Sequence, residues 1–313
     1  MRVFITGGTG LVGARLVRAH RKRGDEVIVL SRRTDAWERV GPDCTIVLGD
    51  PTVPGPWQNR IAECQAVVNL AGAGIFDKRW TPEYKKLIRD SRVKSTANVV
   101  DALKKAGGSG KVLVNASAIG YHGPHGDEEL DESGSPGRDF LAGVCVEWEA
   151  AARDAEVVGV RVAMIRTGIV LDTAGGALKQ LLLPFKLGLG GPVGMAPRPK
   201  DWGRQYWSWI HHADLVGIYL VALNHPEASG PINGTAPHPV TSREFARALG
   251  KALGRPAIAP TPALALRLIL GEVADVVTTG QRVVPRKAQA LGYEFRFSTI
   301  DGALSDLFGQ RPA

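Results

Sequence analysis

In this 313-residue chain, the residues that point most clearly to a ligand are the glycines that follow the first apolar run. Residues 3–5 are Val-Phe-Ile, typical of a buried strand, and a helical pattern of apolar residues begins near residue 11. The turn between them reads Thr6, Gly7, Gly8, Thr9, Gly10, Leu11, Val12, Gly13. A strand, a glycine turn and a helix in this order form the context in which such a turn binds a dinucleotide.

Each glycine of the turn has a physical reason to be there. Glycine accepts positive φ at little cost, and the missing Cβ lets the backbone approach a pyrophosphate. The helix that follows offers free N–H groups and the positive end of its dipole to the phosphates. We therefore predict that residues 6–13 bind a dinucleotide, the alternative being an ordinary glycine-rich turn.

The second apolar run, residues 26–30, ends in Ser31, Arg32 and Arg33. In dinucleotide-binding folds an acidic residue at this position binds the ribose 2′-hydroxyl, whereas arginine accommodates a 2′-phosphate. A guanidinium can bind that phosphate through two parallel hydrogen bonds. The pattern predicts NADP(H) as the cofactor; the alternative is a pair of solvated loop arginines.

Two further strand ends are predicted to face the same ligand. Asp50 follows the third apolar run, where it would meet the adenine or simply cap a turn. The fourth run leads into Leu70, Ala71 and Gly72, and the small residues there leave space over the edge of the sheet.

Apolar runs alternate with helical patterns through the first half of the chain. Strands are predicted at 3–5, 26–30, 45–48, 66–70, 112–115 and 159–165, with long helices at 82–105 and 140–154. This alternation predicts an α/β fold with a Rossmann-type, doubly wound parallel sheet.

The alternation ends after residue 166. A helix at 178–187, a Gly- and Pro-rich loop at 188–204 over the ligand cleft and an aromatic strand at 206–210 are predicted next. Asp139 is predicted to cap the helix at 140–154, and Asp214 the helix that follows the aromatic strand. We expect a Rossmann domain of residues 1–165 plus about 205–225, and a smaller α+β lobe of residues 166–204 and 226–313.

The composition of the chain limits which partners it can bind and which cellular compartment we expect. The net charge is +8, but the basic residues are scattered without a recognition motif, which argues against nucleic acid and leaves a phosphate-rich cofactor as the anionic partner. No apolar run reaches the roughly 20 residues of a membrane span. The first predicted strand begins close behind Met1, so we expect no signal peptide. Three widely spaced cysteines predict reduced thiols and a cytoplasmic protein, and no residues show metal-ligand spacing.

Residues 6–13, 69–72 and 117–121 together resemble an extended short-chain dehydrogenase/reductase. Three more stretches resemble the atypical "epimerase family protein" group of that superfamily: 140–149, 206–211 and 233–240 with the lobe after it. The resemblance covers nearly the whole chain. It implies a Rossmann core, bound NADP(H) and a C-terminal domain of unassigned role.

The resemblance also implies a site at the end of the fifth strand. Ser117, next to Ala116, matches the serine that orients the substrate oxygen, and Tyr121 matches a tyrosine of the substrate pocket. The superfamily's Tyr-x-x-x-Lys falls on Leu141 and Cys145, so the proton donor and its lysine are both missing. Arg166 and Thr167 are implied on the nicotinamide side, or as a strand exit with a surface arginine.

Three functions follow. The chain could reduce or isomerise a small carbonyl or sugar-like substrate, with Tyr121 or, next, His122 as a substitute acid and Ser117 as the orienting group. The alternative for these two residues is that Tyr121 only lines the pocket and His122 is solvated at a loop edge. It could bind NADP(H) without turnover, as a sensor or scaffold. Third, it could be an NAD-dependent sugar-nucleotide epimerase, although that chemistry also uses the missing pair.

Two predictions concern contacts. The polar and aromatic side chains of residues 205–211 either line a small-molecule pocket or join the lobe to the core. A homodimer is predicted through one face of the helix at 82–105, which carries Tyr84, Ile88, Ser91, Ser95, Val99 and Ala102.

Overall fold

The computed structural model describes residues 1–194 and 202–309. In chain order the described strands are β1 (Arg2–Thr6), β2 (Glu26–Ser31), β3 (Thr45–Leu48), β4 (Ala66–Asn69), β5 (Val112–Ala118), β6 (Glu129–Leu130), β7 (Arg161–Thr167), β8 (Ile169–Leu171), β9 (Val193–Gly194), β10 (Tyr206–Trp207), β11 (Trp209–His211), β12 (Gly230–Gly234), β13 (Val240–Thr241), β14 (Thr261–Pro262) and β15 (Arg282–Val283). The described α-helices are α1 (Leu11–Lys22), α2 (Trp37–Val40), α3 (Pro82–Lys105), α4 (Phe140–Arg153), α5 (Gly176–Lys186), α6 (His212–Asn224), α7 (Ser242–Leu253), α8 (Ala263–Leu270), α9 (Asp275–Thr278), α10 (Arg286–Ala290) and α11 (Ile300–Phe308).

A seven-stranded parallel sheet forms the centre of the molecule, in the order β12-β7-β5-β4-β1-β2-β3. The chain builds outward from β1 in both directions, so the order reverses between β1 and β4. Ligands of open α/β sheets bind in the crevice at such a reversal. The predicted fold class is confirmed, and the glycine turn lies at this reversal.

Both faces of the sheet are covered, which explains the continuous apolar runs of its strands. Along β1, Val3 and Ile5 pack into one core cluster with α1 and α6, and Phe4 packs into a second with Trp57. All three β1 side chains are fully buried. No helix among residues 1–194 and 202–309 is both long and apolar enough to cross a membrane.

Several element bounds differ from the prediction. β5 and β7 extend to Ala118 and Thr167, and β12 joins the central sheet although residues 226–313 were expected in the lobe. The predicted aromatic strand is two short ones: β10 pairs antiparallel with β13, and β11 pairs parallel with β8. In the predicted loop at 188–204 the structure places β9; residues 195–201 of that loop lie outside the described residues.

The expected cap of α6 is wrong. His211 is the N-cap, and its Nδ1 accepts a hydrogen bond from the Ala213 N–H. Asp214 is buried in the first turn instead. Its carboxylate accepts hydrogen bonds from Tyr293 Oη and from the N–H groups of Arg296 and Phe297. This aspartate therefore fastens the C-terminal segment to the core.

The predicted dimer face of α3 is also occupied. Ile88, Ser95 and Val99 are fully buried within the chain, and α3 packs against α4. This face is therefore not available to a second copy, because the protein's own elements cover it. The homodimer itself, without this face, remains a prediction.

Candidate functional site

The glycine turn is packed too closely for side chains. Gly7 has φ +66°, and a Cβ on Gly13 would lie 2.2 Å from the Gly7 carbonyl oxygen. A Cβ on Gly8 would lie 2.7 Å from Cγ1 of Val29 on the neighbouring strand. Glycine at these positions lets α1 start directly against the end of β1.

The first turn of α1 is suited to an anion. Its N-cap is Gly10, no side chain caps it, and no acidic residue lies in its first turn. The first N–H groups of a helix have no partner within the helix, and the dipole makes this end positive. The turn therefore fits the pyrophosphate of a dinucleotide.

A buried polar network fixes the strand ends behind the turn. Thr6 Oγ1 donates to Asn69 Oδ1 (2.5 Å) and accepts from the Ala71 N–H (3.2 Å). Asn69 Nδ2 in turn donates to Asn115 Oδ1 (2.7 Å) and to Thr96 Oγ1 (2.8 Å). Thr6 and Asn69 together thus connect β1, β4 and β5, and the bond from the Ala71 N–H to Thr6 fixes the start of the predicted cofactor residues 70–72.

Of the two arginines after β2, one is paired with a neighbouring acid and the other is not. Arg33 forms an ion pair with Asp35, with Nε to Oδ1 at 2.7 Å. Arg32 is exposed, and no hydrogen bond or ion pair holds it in the part of the chain that the structure describes. The buried Ser31 uses its hydroxyl to accept from the Arg33 N–H (3.0 Å). Arg32 is therefore the guanidinium available to a ligand.

Arg39 is a candidate that the sequence analysis missed. It lies on α2, and its Nη1 donates to the Thr9 carbonyl of the glycine turn (3.3 Å). The guanidinium therefore stands at the rim of the crevice. The one sequence signal was its basic charge shortly after Arg32 and Arg33, because only the fold of α2 brings it back to the turn.

Asp50 caps a turn, the second of its two predicted roles. Its Oδ1 accepts from the Thr52 N–H (2.8 Å) and hydroxyl (2.7 Å). Burial would raise the pKa of this carboxyl, but those hydrogen bonds and the charge of Arg32 outweigh burial and hold the pKa below its usual range. A contact with adenine stays a prediction.

A second missed cation lies beneath the edge of β4. A Cβ on Gly72 would lie 3.2 Å from Cζ of the half-buried Arg92, whose guanidinium also stands 5.2 Å from the Trp148 ring centroid. Burial lowers the pKa of Arg92, and no carboxylate of the described residues pairs with it. It supplies positive charge beside the predicted cofactor residues.

Ser117 is engaged by a carboxylate. Its Oγ donates to Glu149 Oε1 (2.8 Å), and Arg166 forms a bidentate pair with the same group, Nε to Oε1 at 2.8 Å and Nη2 to Oε2 at 2.9 Å. All three residues are buried, so Arg166 is no surface arginine. A serine has only one O–H donor, so the Ser117 hydroxyl cannot also donate a hydrogen bond to a ligand while it is bonded to Glu149.

The Tyr121 ring packs on the Arg166 guanidinium of this cluster. The Arg166 Cζ lies 3.5 Å from the centroid of its ring, a cation–π contact. The ring is half-buried, and its hydroxyl makes no hydrogen bond to residues 1–194 or 202–309. The phenol is thus held in place while its O–H stays available.

His122 is enclosed instead of solvated. The side chain is fully buried, and neither ring nitrogen has a hydrogen-bond partner among the described residues. A Cβ on Gly134 would lie 3.0 Å from the ring. Burial, with a further contribution from the Arg166 charge, lowers the pKa of His122 to about 4. The imidazole is therefore neutral at pH 7 and poorly placed to donate a proton to a ligand.

Cys145 cannot replace a lysine. Its thiol is buried and lies 3.7 Å from the Ala118 carbonyl oxygen. Burial raises the pKa of Cys145 to about 12. The remaining predicted cofactor residues, Ala116 and Thr167, lie near the carboxyl ends of the adjacent strands β5 and β7.

The predicted pocket residues of 205–211 make lobe-to-core contacts. Trp209 is fully buried with its Nε1 bonded to the His238 carbonyl (3.1 Å). Trp207 and Gln205 both donate to the Val277 carbonyl (3.3 Å). The aromatic residues therefore join the lobe to the sheet, the second of the two predicted roles.

Comparison with known proteins supports this architecture. Residues 3–233 match the NAD dependent epimerase/dehydratase family, and residues 261–307 match a domain of unknown function (DUF1731). The "Epimerase family protein SDR39U1 homolog, chloroplastic" of Arabidopsis thaliana is 41% identical over 309 residues, which is 97% of this chain and 86% of the relative.

Two solved structures are also similar. The crystal structure of human epimerase family protein SDR39U1 (isoform2) with NADPH has 34% identity and a TM-score of 0.85, with 99% of this chain and 100% of that chain covered. The UDP-glucose 4-epimerase of Thermus thermophilus, solved in complex with NAD, shares the fold at 20% identity and a TM-score of 0.78, with 99% of each chain covered. The chain belongs to the NAD dependent epimerase/dehydratase family, within the epimerase family proteins of the short-chain dehydrogenase/reductase superfamily.

Proposed function

We propose that this protein binds NADP(H) at the glycine turn and reduces or isomerises a small carbonyl or sugar-like compound, with Tyr121 as the proton donor. The turn and the bare N-terminus of α1 fit a pyrophosphate. The exposed Arg32 after β2 and Arg39, which is bonded to the Thr9 carbonyl, would supply guanidiniums to an adenosine 2′-phosphate. The human relative was solved with NADPH, which agrees with this choice of cofactor.

The observation that carries the catalytic part is the free phenol of Tyr121 on the Arg166 guanidinium. Bound NADPH would supply a hydride. The alkoxide that results needs a proton, and general acid help of this kind is typically worth about 10²–10⁴-fold. Tyr121 can give that proton from its O–H, while the Glu149–Arg166 pair holds the ring in place.

The test is NADPH consumption over a panel of small aldehydes, ketones and keto sugars. Tyr121→Phe should lower kcat about 100-fold or more on any substrate found, with the affinity for NADPH unchanged. Tyr206→Phe is the matched control, since Tyr206 also lies beneath an arginine, Arg282, at 5.4 Å. An undiminished kcat in Tyr121→Phe would remove Tyr121 from the mechanism.

A second function, NADP(H) binding without turnover, is favoured by two observations. The Ser117 donor is committed to Glu149, and His122 is buried and neutral. Under this alternative, NADPH binds tightly but no compound of the panel causes its consumption. Sugar-nucleotide epimerisation ranks third, because Leu141 and Cys145 replace the pair that it needs.

The predicted cytoplasmic location belongs to the same proposal. Cys44, Cys64 and Cys145 are all free thiols in the structure, as expected of a protein from a reducing compartment.

A further inference from the structure

A second basic cavity lies on the lobe and shares no residue with the glycine-turn crevice. It has a volume of about 500 Å³. Three guanidiniums line it, those of Arg243, Arg247 and Arg255. Its other walls are mainly apolar and include Ile258 and Pro260.

Two of the three guanidiniums of this cavity have no acidic partner among the described residues. Arg243 and Arg247 are four residues apart on α7, a spacing at which like charges repel. Arg247 and Arg255 are exposed and form no ion pair with residues 1–194 or 202–309. The nearest acid on α7, Glu244, is engaged in the capping box with Thr241.

The backbone around the cavity is tightly fixed. Gly254, with φ +61°, ends α7, and the Arg255 N–H bonds back to the Gly250 carbonyl (2.9 Å). A Cβ on Gly250 would lie 2.7 Å from Cβ of Ala257. Pro192, which also lines the cavity, accepts a hydrogen bond from the Thr261 N–H (3.0 Å), beside the paired β9 and β14. The guanidiniums therefore project from a preformed frame.

We propose that this cavity binds a small organic phosphate. Arg247 and Arg255 hold the phosphoryl oxygens, for which the planar guanidinium is suited. The apolar or ring portion of the ligand covers Ile258, whose side chain is 81% exposed. The volume is that of a small-molecule site, and convergent polar groups on an apolar floor are its usual composition.

The experiment is calorimetric titration of the full chain, first saturated with NADPH, with phenyl phosphate and with inorganic phosphate. Phenyl phosphate should bind, and more tightly than inorganic phosphate. Arg247→Gln and Arg255→Gln should each weaken its binding about tenfold, the usual size of a lost charge-assisted hydrogen bond. Ile258→Ser should remove the preference for phenyl phosphate. Lys104→Gln, an equal change of charge at an exposed lysine of α3, should have no effect.

Three results would overturn the inference. One is no heat of binding for phenyl phosphate. Another is an equal loss in Lys104→Gln, which would indicate a solvated charged face. The third is phenyl phosphate binding that occurs only without NADPH, which would place it in the glycine-turn crevice. The first titration, with NADPH, measures the cofactor affinity, so it shows separately whether the proposed cofactor binds. If NADPH does not bind, the phosphate titration is carried out on the protein without it.

Discussion

Arg32 and Arg33 are neighbours in the chain, but their guanidiniums differ in what they can bind. Asp35 neutralises Arg33, whereas Arg32 is exposed at the carboxyl end of β2. The sequence predicted both as phosphate ligands, since the ion pair to Asp35 depends on the local turn. At this scale the residue types were predictable from the sequence, but their partners were not.

Arg32→Ala should therefore weaken NADPH binding by about tenfold and leave NADH binding nearly unchanged, because only NADPH carries the 2′-phosphate. Arg33→Ala is the matched control and should change the NADPH-to-NADH affinity ratio much less. The measurement is a fluorescence titration of each variant with both cofactors. Equal ratios in Arg32→Ala and the unmodified protein would contradict the role of Arg32.

His122 should make stability depend on pH. Its pKa is about 4 in the folded state against an ordinary 6.5 when unfolded. Above about pH 6.5 both states are neutral and the full stability is present. As the pH falls from about 6.5 to about 4, the unfolded chain takes up the proton first, so the free energy of unfolding decreases, by on the order of 2 kcal/mol.

The measurement is urea unfolding at about pH 7 and about pH 5. His122→Gln should lose part of this pH dependence because its amide does not titrate. His238→Gln, at an exposed histidine, should retain it. Identical pH dependence in all three proteins would show that His122 is not the buried group described.

At the scale of elements, α4 presents Cys145 and Glu149 to the site and begins at Asp139. This carboxylate accepts from the N–H groups of Leu141 (2.8 Å) and Ala142 (3.1 Å), as the sequence predicted. Long periodic elements with such local signals were predicted to within a few residues. The two-residue strands β13, β14 and β15 were not, because distant pairing partners form them.

Asp139→Ala should lower the free energy of unfolding by about 1 kcal/mol, the typical loss of a helix N-cap. Asp154→Ala, at the other end of α4, should be neutral or slightly stabilising, since an acid at a helix C-terminus opposes the dipole. Denaturant titration of both variants provides the measurement. Equal effects at the two ends would mean that the cap does not stabilise α4.

At the scale of the whole molecule, the C-terminal lobe is fastened to the core by a buried and a half-buried carboxylate. Asp214 holds the Tyr293–Phe297 segment, and the Glu132 carboxylate accepts from the N–H groups of Asn233 (2.9 Å) and Lys287 (3.2 Å). The sequence predicted the fold class from its alternating pattern. It could not predict that residues 230–234 complete the sheet, because Gly-Pro-Ile-Asn-Gly lacks a strand pattern and is placed by pairing with β7.

In the candidate site, too, the local features were predictable from the sequence and those that depend on distant contacts were not. The strand, glycine turn and helix at residues 2–22 were predicted because they form a local motif, whereas the Ser117–Glu149–Arg166 cluster arises from three separate elements. Glu149 lies 32 residues from Ser117, and nothing in the sequence specifies that their side chains meet. Because the Ser117 hydroxyl already donates to Glu149, Tyr121 is the proton donor that we propose.

The most direct test of this account is a crystal structure of the protein with NADPH. We expect the pyrophosphate on the N–H groups of residues 7–13, the 2′-phosphate between Arg32 and Arg39, and the nicotinamide turned toward Tyr121. A cofactor bound with its adenosine away from both arginines, or a nicotinamide ring sealed from Tyr121 by apolar groups, would contradict the proposed function.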